Sequence, residues 1–130
     1  LGLHWMTPIV HEGNLYAFSG RNEPDAKFRC VEFSTGKLLW NQEEAWQKYG
    51  PTTKKYGRGS FIQADGKLIV LGETGKLGLY ALNAKKPVEL TAYKVPLLRY
   101  PCWAAPAMAD KRVYLRSESY LLCFDFAKKR

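Results

Sequence analysis

The residue types that usually carry catalysis form no recognisable catalytic pattern in this 130-residue chain. The two histidines, His4 and His11, are separated by seven positions across a predicted strand and its approach, so a shared metal is not expected. Ser117 and Ser119 have no histidine near them in the sequence, and no G-x-S-x-G motif or glycine-rich phosphate loop is present. The sequence therefore gives no indication of nucleophilic or metal-dependent catalysis, and we predict neither catalytic nor metal-binding residues.

The three cysteines also lack the spacing of a known type of site. Cys30, Cys102 and Cys123 form no CxxC or CxxH pair, which argues against zinc. Cys30 and Cys123 lie within apolar strand patterns, where buried thiols are common. An odd number of cysteines argues against a complete disulfide framework. The cysteines therefore leave the redox compartment open.

The dominant feature of the sequence is an internal repeat. Three segments align: residues 5–20 together with 27–40, residues 58–90, and residues 103–129. Each contains a two-residue hairpin turn at the same place: Glu12-Gly13, Asp65-Gly66 and Asp110-Lys111. The matching positions Cys30, Leu79 and Cys123 are separated by 49 and 44 residues, which is the length of a four-stranded propeller blade.

We therefore predict an all-β chain of four-stranded antiparallel β-propeller blades. Blade 1 covers about residues 4–44, blade 2 about 58–95, and an incomplete blade 3 about 102–130. Blade 3 has room for three strands, so it is expected to lack its outer strand and to leave Tyr120–Phe126 as an unpaired edge. Three blades do not close a ring. We expect the chain to be the C-terminal part of a larger propeller, or to self-associate through its open blade faces and this edge.

The connections between the predicted strands differ in length at the two ends of the blades. The A–B and C–D turns are short, whereas the insertions at 20–27 and 41–57 are B–C and D–A connections. Within the second insertion, the sequence QEEAWQKY predicts a short helix with Trp46 and Tyr49 on one face. Functional loops commonly gather on one side of a rigid scaffold, so we expect the function to lie on the face that carries these long connections.

The candidate ligand-binding residues occupy equivalent positions in the three repeats. Trp5, Arg58 and Trp103 lie three residues before matching strand positions: Pro8, Phe61 and Pro106. They would enter the innermost strands at the mouth of the central channel, where two aromatic rings and a cation could bind a carbohydrate, an anion or a peptide. The alternative is that the two tryptophans wedge neighbouring blades together. Four further candidates lie near this rim in sequence: His4, Tyr56, Arg99 and Tyr100.

A family resemblance is visible in the segment from Cys30 to Trp40. It resembles the tryptophan-docking motif of quinoprotein-type propellers, A-x-D-x-x-T-G-K-x-x-W, in which Gly36, Lys37 and Trp40 fit by position. Cys30 replaces the usual Ala, and in blade 2 the same spacing places Glu89 at the tryptophan position. Blades 2 and 3 also resemble PQQ-like repeats of bacterial propeller proteins, a family that includes the propeller lipoprotein of the outer-membrane β-barrel assembly machinery.

This resemblance implies a seven- or eight-bladed propeller located in the periplasm, outside the cell or in the cell envelope. It implies a non-catalytic module that recognises a protein or a carbohydrate through its channel-mouth face. The alternative is part of a quinoprotein-like or other propeller enzyme whose catalytic residues lie mostly elsewhere. No cofactor is expected in this chain, and PQQ with calcium would need ligands from other blades.

Charge and hydropathy limit the remaining classes of partner. The net charge is +8 and the pI is about 9.5, but the lysines are spread over predicted turns, so nucleic acid is not the expected partner. No apolar run approaches the roughly 20 residues of a membrane-spanning helix. The first ten residues lack the pattern of a signal peptide and an initiator Met, from which we expect a piece of a longer protein.

Overall fold

A computed structural model describes residues 2–45 and 54–127 of the chain. Within these ranges there are eleven β-strands and one short 3-10 helix, Glu23–Asp25, and no α-helix. The strands are β1 (Ile9–His11), β2 (Asn14–Ser19), β3 (Lys27–Glu32), β4 (Leu38–Glu43), β5 (Ser60–Ala64), β6 (Lys67–Leu71), β7 (Lys76–Ala81), β8 (Val88–Lys94), β9 (Ala107–Ala109), β10 (Arg112–Arg116) and β11 (Leu121–Asp125). The predicted helix over residues 42–49 is wrong at its start, because Gln42 and Glu43 belong to β4, and its part with Trp46 and Tyr49 lies outside the described residues.

The strands form three separate antiparallel sheets. The first has the order β1-β2-β3-β4, the second β5-β6-β7-β8, and the third β9-β10-β11. These sheets are blades 1, 2 and 3, and the predicted fold class is confirmed. In the described part of the chain no fourth strand pairs with β11.

The three predicted hairpin turns share one backbone conformation. Both central residues of each turn have positive φ: Glu12 (50°) with Gly13 (80°), Asp65 (52°) with Gly66 (70°), and Asp110 (51°) with Lys111 (62°). Two consecutive positive φ angles define a type I′ turn, whose twist matches that of the flanking strands. The repeat therefore fixes the same hairpin at the start of each blade.

The blades pack face to face through two apolar clusters. In the cluster between blades 1 and 2, Phe28 of blade 1 stacks on Phe18 of the same blade at a centroid distance of 4.6 Å and meets Tyr80 of blade 2 edge-on at 5.1 Å. Between blades 2 and 3, buried Leu71 and Leu115 belong to a second cluster. Burial of such side chains between the sheets is the main stabilising contribution that holds neighbouring blades together.

Trp40, on the outer strand of blade 1, reaches across to blade 2. Its indole Nε1 donates a hydrogen bond of 2.8 Å to the carbonyl oxygen of Asn83, and its ring meets Phe28 edge-on at 5.1 Å. Gly36 has a φ of 76° in the C–D turn, which the motif glycine makes possible, and Lys37 is exposed beside it. Trp40 therefore links the two blades.

The strand register corrects the position that motif spacing gives for blade 2. Trp40 lies opposite Cys30, and in blade 2 the residue opposite Leu79 is Thr91, not Glu89. The C–D connection of blade 2 covers residues 82–87 and is longer than that of blade 1, so counting residues from the third strand gives the wrong position.

The alternation of strand directions places the short and long connections at opposite ends of the blades. The turns at 12–13, 65–66 and 110–111 lie at one end, whereas the connections at 20–26, 44–59 and 95–106 lie at the other. We call the second end the loop face. The chain segments that contain the candidate ligand-binding residues all lie at this end.

Candidate functional site

Trp5, Arg58 and Trp103 come together in the structure, although they belong to three different blades. The ring centroids of Trp5 and Trp103 are 5.1 Å apart. The guanidinium carbon of Arg58 lies 4.7 Å from the centroid of Trp5 and 5.6 Å from that of Trp103, within the range of cation–π contacts. We call these three residues the channel-mouth cluster.

A fourth residue, Glu73, fixes the geometry of this cluster. Its carboxylate accepts hydrogen bonds from the backbone N–H of Arg58 (2.9 Å) and from Arg58 Nη2 (3.1 Å). The indole Nε1 of Trp103 donates to the same carboxylate at 3.0 Å. Arg58 Nη1 donates in addition to the carbonyl oxygen of Arg21 at 2.8 Å. The cation is therefore held by the protein itself on two sides.

Burial distinguishes the roles of Arg58, Glu73 and Trp103. Arg58 is 8% exposed and Glu73 is 0% exposed, whereas Trp103 is 42% exposed. The crevice beside Trp5 and Arg58 has a volume of about 10 Å³, which is close to the space of one water molecule. A ligand can therefore reach the face of Trp103, but Arg58 supports that ring from below and is not open to a ligand.

The local sequence explains why Glu73 lies in this place. Glu73 occupies the short connection between β6 and β7, where its N–H donates to Tyr56 O and its carbonyl accepts from Cys102 N, each at 2.9 Å. The preceding Gly72 allows this approach, since a Cβ there would lie 2.6 Å from Tyr56 O. The β6–β7 turn thereby joins the chain segments that lead into blades 2 and 3.

Of the other predicted residues, His4 is exposed and Tyr56 is buried. His4 packs on Trp5 with a centroid distance of 4.4 Å and is exposed. Tyr56 is fully buried, with its hydroxyl donating to Glu89 at 2.5 Å, and burial raises its pKa far above the usual range. The structure therefore removes Tyr56 from the rim and places it in the core between blades.

Arg99 and Tyr100 lie on a separate surface next to the channel-mouth cluster. They line a groove of about 440 Å³ between the β8–β9 connection and the β10–β11 turn, which we call the loop-face groove. Its lining consists of Leu97, Arg99, Tyr100, Ser117, Glu118, Ser119 and Tyr120. An adjoining cavity of about 180 Å³ shares Ser117 and Glu118 with the groove and extends it to Trp103 and Arg116.

Four important residues were not among the sequence candidates: Glu73, Arg116, Glu118 and Tyr120. Tyr120 and Glu118 lie in the β10–β11 turn of blade 3, and their only sequence signal is that this turn belongs to the B–C class on the loop face. Glu73 could have been found from the need of a buried arginine for an anionic partner. That need is invisible before Arg58 is known to be buried.

Burial also alters the acid–base properties of groups behind the loop face. The carboxylate of Glu44 accepts from the backbone N–H of Tyr56 at 2.8 Å, and burial raises the pKa of Glu44 above its ordinary value. Burial raises the pKa of Cys102 to about 11. Among residues 2–45 and 54–127, no group of three or more His, Cys, Asp or Glu side chains could hold a metal ion. No helix in those ranges is long and apolar enough to cross a membrane.

Comparison with known proteins supports the fold and leaves the family open. No protein-family model matches the chain, and no curated protein matches its sequence. Among solved structures, the chain is similar to the crystal structure of BamB from Moraxella catarrhalis, with a TM-score of 0.51 and 14% sequence identity. The match covers 91% of this chain and 41% of that one, so the chain spans well under half of the solved protein's length. At this identity the likeness establishes the architecture of propeller blades alone.

Proposed function

We propose that this chain is part of a non-catalytic β-propeller that recognises a partner protein or a carbohydrate through its loop face. The observation that carries the proposal is the row of half-exposed aromatic side chains along two adjoining cavities of that face. These are Tyr100, Trp103 and Tyr120, which are 43%, 42% and 48% exposed. Aromatic side chains with one apolar face and a polar tip are characteristic of recognition surfaces.

The rigid support of Trp103 also favours recognition. Its indole N–H is bonded to buried Glu73, and Tyr100 meets its ring at 88° with a centroid distance of 5.8 Å. A ring that is already fixed loses little conformational freedom when a partner binds. The buried ion pair therefore makes Trp103 a prearranged contact surface.

We propose further that blade 3 is completed by a strand from another blade of the same propeller or from a second copy. Strand β11 pairs with β10 on one edge and with no described strand on the other. Phe126, directly after β11, lines an apolar pocket of about 130 Å³ together with Leu77, Leu79 and Tyr93. A fourth strand would pair with β11 and cover this pocket, as β4 and β8 complete the first two blades. A seven- or eight-bladed PQQ-like protein of the bacterial cell envelope is the setting that we propose for this module.

The proposal can be tested by site-specific photo-cross-linking in cells that produce the protein. A benzophenone amino acid at Leu97 or Tyr120 places the probe on the loop face, whereas Thr35 and Lys86 provide matched exposed positions in the C–D connections at the opposite end. Benzophenone inserts into C–H bonds of proteins and of carbohydrates, so either class of partner is captured. We expect adducts from the loop-face positions only. Equal labelling from both ends, or none from the loop face, would refute the proposal.

A further inference from the structure

The loop-face groove contains charged side chains that the fold leaves available. Arg99, Arg116 and Glu118 are exposed, and none of their side chains makes a hydrogen bond or an ion pair with the rest of the described chain. This contrasts with Arg58, whose guanidinium is fully engaged by Glu73 and Arg21. Two guanidinium groups and one carboxylate therefore face the groove with unused hydrogen-bonding capacity.

The groove combines these charges with flat aromatic faces. Tyr100 and Trp103 stand perpendicular to each other, and Tyr120 lies on the wall formed by the β10–β11 turn. Sugar rings have one apolar C–H face that stacks on an aromatic ring, and equatorial hydroxyls that both donate and accept hydrogen bonds. Arginine supplies paired donors and glutamate supplies acceptors for such hydroxyls. This mixture of groups suits a saccharide better than an apolar ligand.

The balance of charge favours a saccharide that carries acidic groups. The groove and its adjoining cavity together hold two guanidinium groups against one carboxylate, and the whole chain has a net charge of +8. A guanidinium binds a carboxylate through two parallel hydrogen bonds, a geometry that neutral sugars cannot use. The surrounding positive charge would also speed the approach of an anionic chain.

The position of the groove is less suited to an extended peptide. None of its lining residues belongs to β11, the strand with an unpaired edge, so the groove offers no row of free backbone groups. Peptides that bind by strand addition obtain much of their affinity from such backbone pairing. Glu118 can accept hydrogen bonds from the hydroxyls that every sugar unit carries, whereas an acidic peptide side chain has no hydroxyl to donate.

We propose that the loop-face groove binds an oligosaccharide that contains carboxylate-bearing sugars, an inference that rests on the recognition function proposed above. The aromatic rings Tyr100, Trp103 and Tyr120 stack against the sugar rings. Arg99 and Arg116 bind the carboxylate groups, and Glu118 accepts from hydroxyls. The volumes of about 440 and 180 Å³ allow more than one sugar unit along the two cavities.

The test is a binding comparison with the purified protein and an array of glycans. The probes are oligosaccharides that contain uronic or sialic acids, their neutral counterparts of equal length, and hexaglutamate as an acidic peptide. We expect binding to one or more acidic glycans at least tenfold tighter than to the matched neutral glycan. Raising the salt concentration should weaken this binding.

Variants locate the binding in the groove. Arg99→Ala and Tyr120→Ala should each weaken the binding of the acidic glycan by at least tenfold. Both should leave the circular dichroism spectrum unchanged, because both side chains are exposed. Arg112→Ala removes the same charge from an exposed position on β10 outside the groove, and should alter binding less than twofold.

Each other outcome overturns the inference. Equal binding of neutral and acidic glycans would remove the role of the arginines, and preferential binding of hexaglutamate would identify a peptide site. If no acidic glycan binds while photo-cross-linking from the loop face still succeeds, the saccharide inference fails and the recognition function stands. If both fail, the recognition function fails as well.

Discussion

Removal of Arg58 should expose how strongly the buried ion pair holds the loop face together. The carboxylate of Glu73 is 0% exposed, and in the variant Arg58→Met it loses its guanidinium partner while it keeps the backbone N–H at position 58 and the indole of Trp103 among its donors. Breaking a buried pair by removing one partner typically costs about 3–5 kcal/mol, since an uncompensated charge remains in the interior. Two cation–π contacts, with Trp5 and Trp103, are lost at the same time and add about 0.5–1 kcal/mol each.

The expected loss is large in comparison with the stability of a domain of this size. A total of about 4–7 kcal/mol is a major part of the roughly 5–15 kcal/mol that small domains possess. It corresponds to a fall in melting temperature of about 15–30 °C. A control is the solvent-accessible pair of half-buried Lys27 and exposed Glu43, with 3.8 Å between Lys27 Nζ and Glu43 Oε1. Lys27→Met should cost about 1 kcal/mol or less, because solvent screens this pair.

Urea denaturation followed by tryptophan fluorescence measures both losses, and a double variant isolates the interaction. Arg58→Met combined with Glu73→Gln removes the unpaired charge while Gln keeps an oxygen that can accept from Trp103. The double variant should lose at least about 1 kcal/mol less than the sum of the two single losses. If Arg58→Met is no more harmful than Lys27→Met, or if the two single losses simply add, the ion pair does not support Trp103 in the way described.

Two further predictions concern buried groups between the blades. Native protein at pH 8 should react with a thiol reagent at exposed Cys123 only, because Cys30 and Cys102 are buried and burial raises the pKa of both thiols, that of Cys102 to about 11. Mass spectrometry should count one labelled cysteine in the native protein and three in the urea-unfolded control. Rapid labelling of Cys102 in the native state would contradict its burial. Gly78→Ala should lower the free energy of unfolding, measured by urea denaturation, by about 2–4 kcal/mol. The reason is that its Cβ would fall on the hydroxyl group of Tyr56 and disturb the Tyr56–Glu89 hydrogen bond. A loss below about 0.5 kcal/mol would mean that Tyr56 does not occupy this space.

The parts of the structure that the sequence predicts well depend on local patterns. The predicted Asp65-Gly66 turn is the observed hairpin between β5 and β6, and it fixes the register of the two strands on either side. The equivalence of Trp5, Arg58 and Trp103 also follows from the repeat, because matching positions of successive blades converge on one axis. That convergence needs no knowledge of any side-chain contact.

The parts that sequence reasoning missed depend on which side chains become buried. Tyr56 was predicted at the rim because it lies close to Arg58 in sequence, but the absence of a side chain at Gly78 opens a space between the blades that Tyr56 fills. Glu73 is 15 residues from Arg58 and belongs to a turn without a motif. Both placements result from packing between blades, for which a single sequence contains no periodic signal.

The chemistry of the loop face depends on which charged side chains are already paired within the protein and which are exposed to a ligand. Arg58 lies against Trp103 but is paired with Glu73, whereas Arg99 is exposed and lines the groove. Sequence position alone would rank Arg58 as the better ligand-binding residue. The structure reverses the order, since a cation can bind a ligand only if the protein has not already neutralised it.

The three type I′ turns share the same positive φ angles but have different residues at the second turn position, and this difference allows a last prediction. The second turn position has φ values of 80° and 70° at Gly13 and Gly66, but 62° at Lys111. A residue with a Cβ is about 1–2 kcal/mol less stable than glycine in this backbone conformation. Part of this advantage of glycine is offset, because glycine gives the unfolded chain more conformational entropy. Lys111→Gly should therefore stabilise the protein by about 0.5–1 kcal/mol, and Gly66→Ala should destabilise it by a similar amount. Nothing lies within 4 Å of a Cβ at Gly66, so the change isolates backbone strain. Urea midpoints that move in the same direction for both variants would show that the two turns do not share the conformation that defines the repeat.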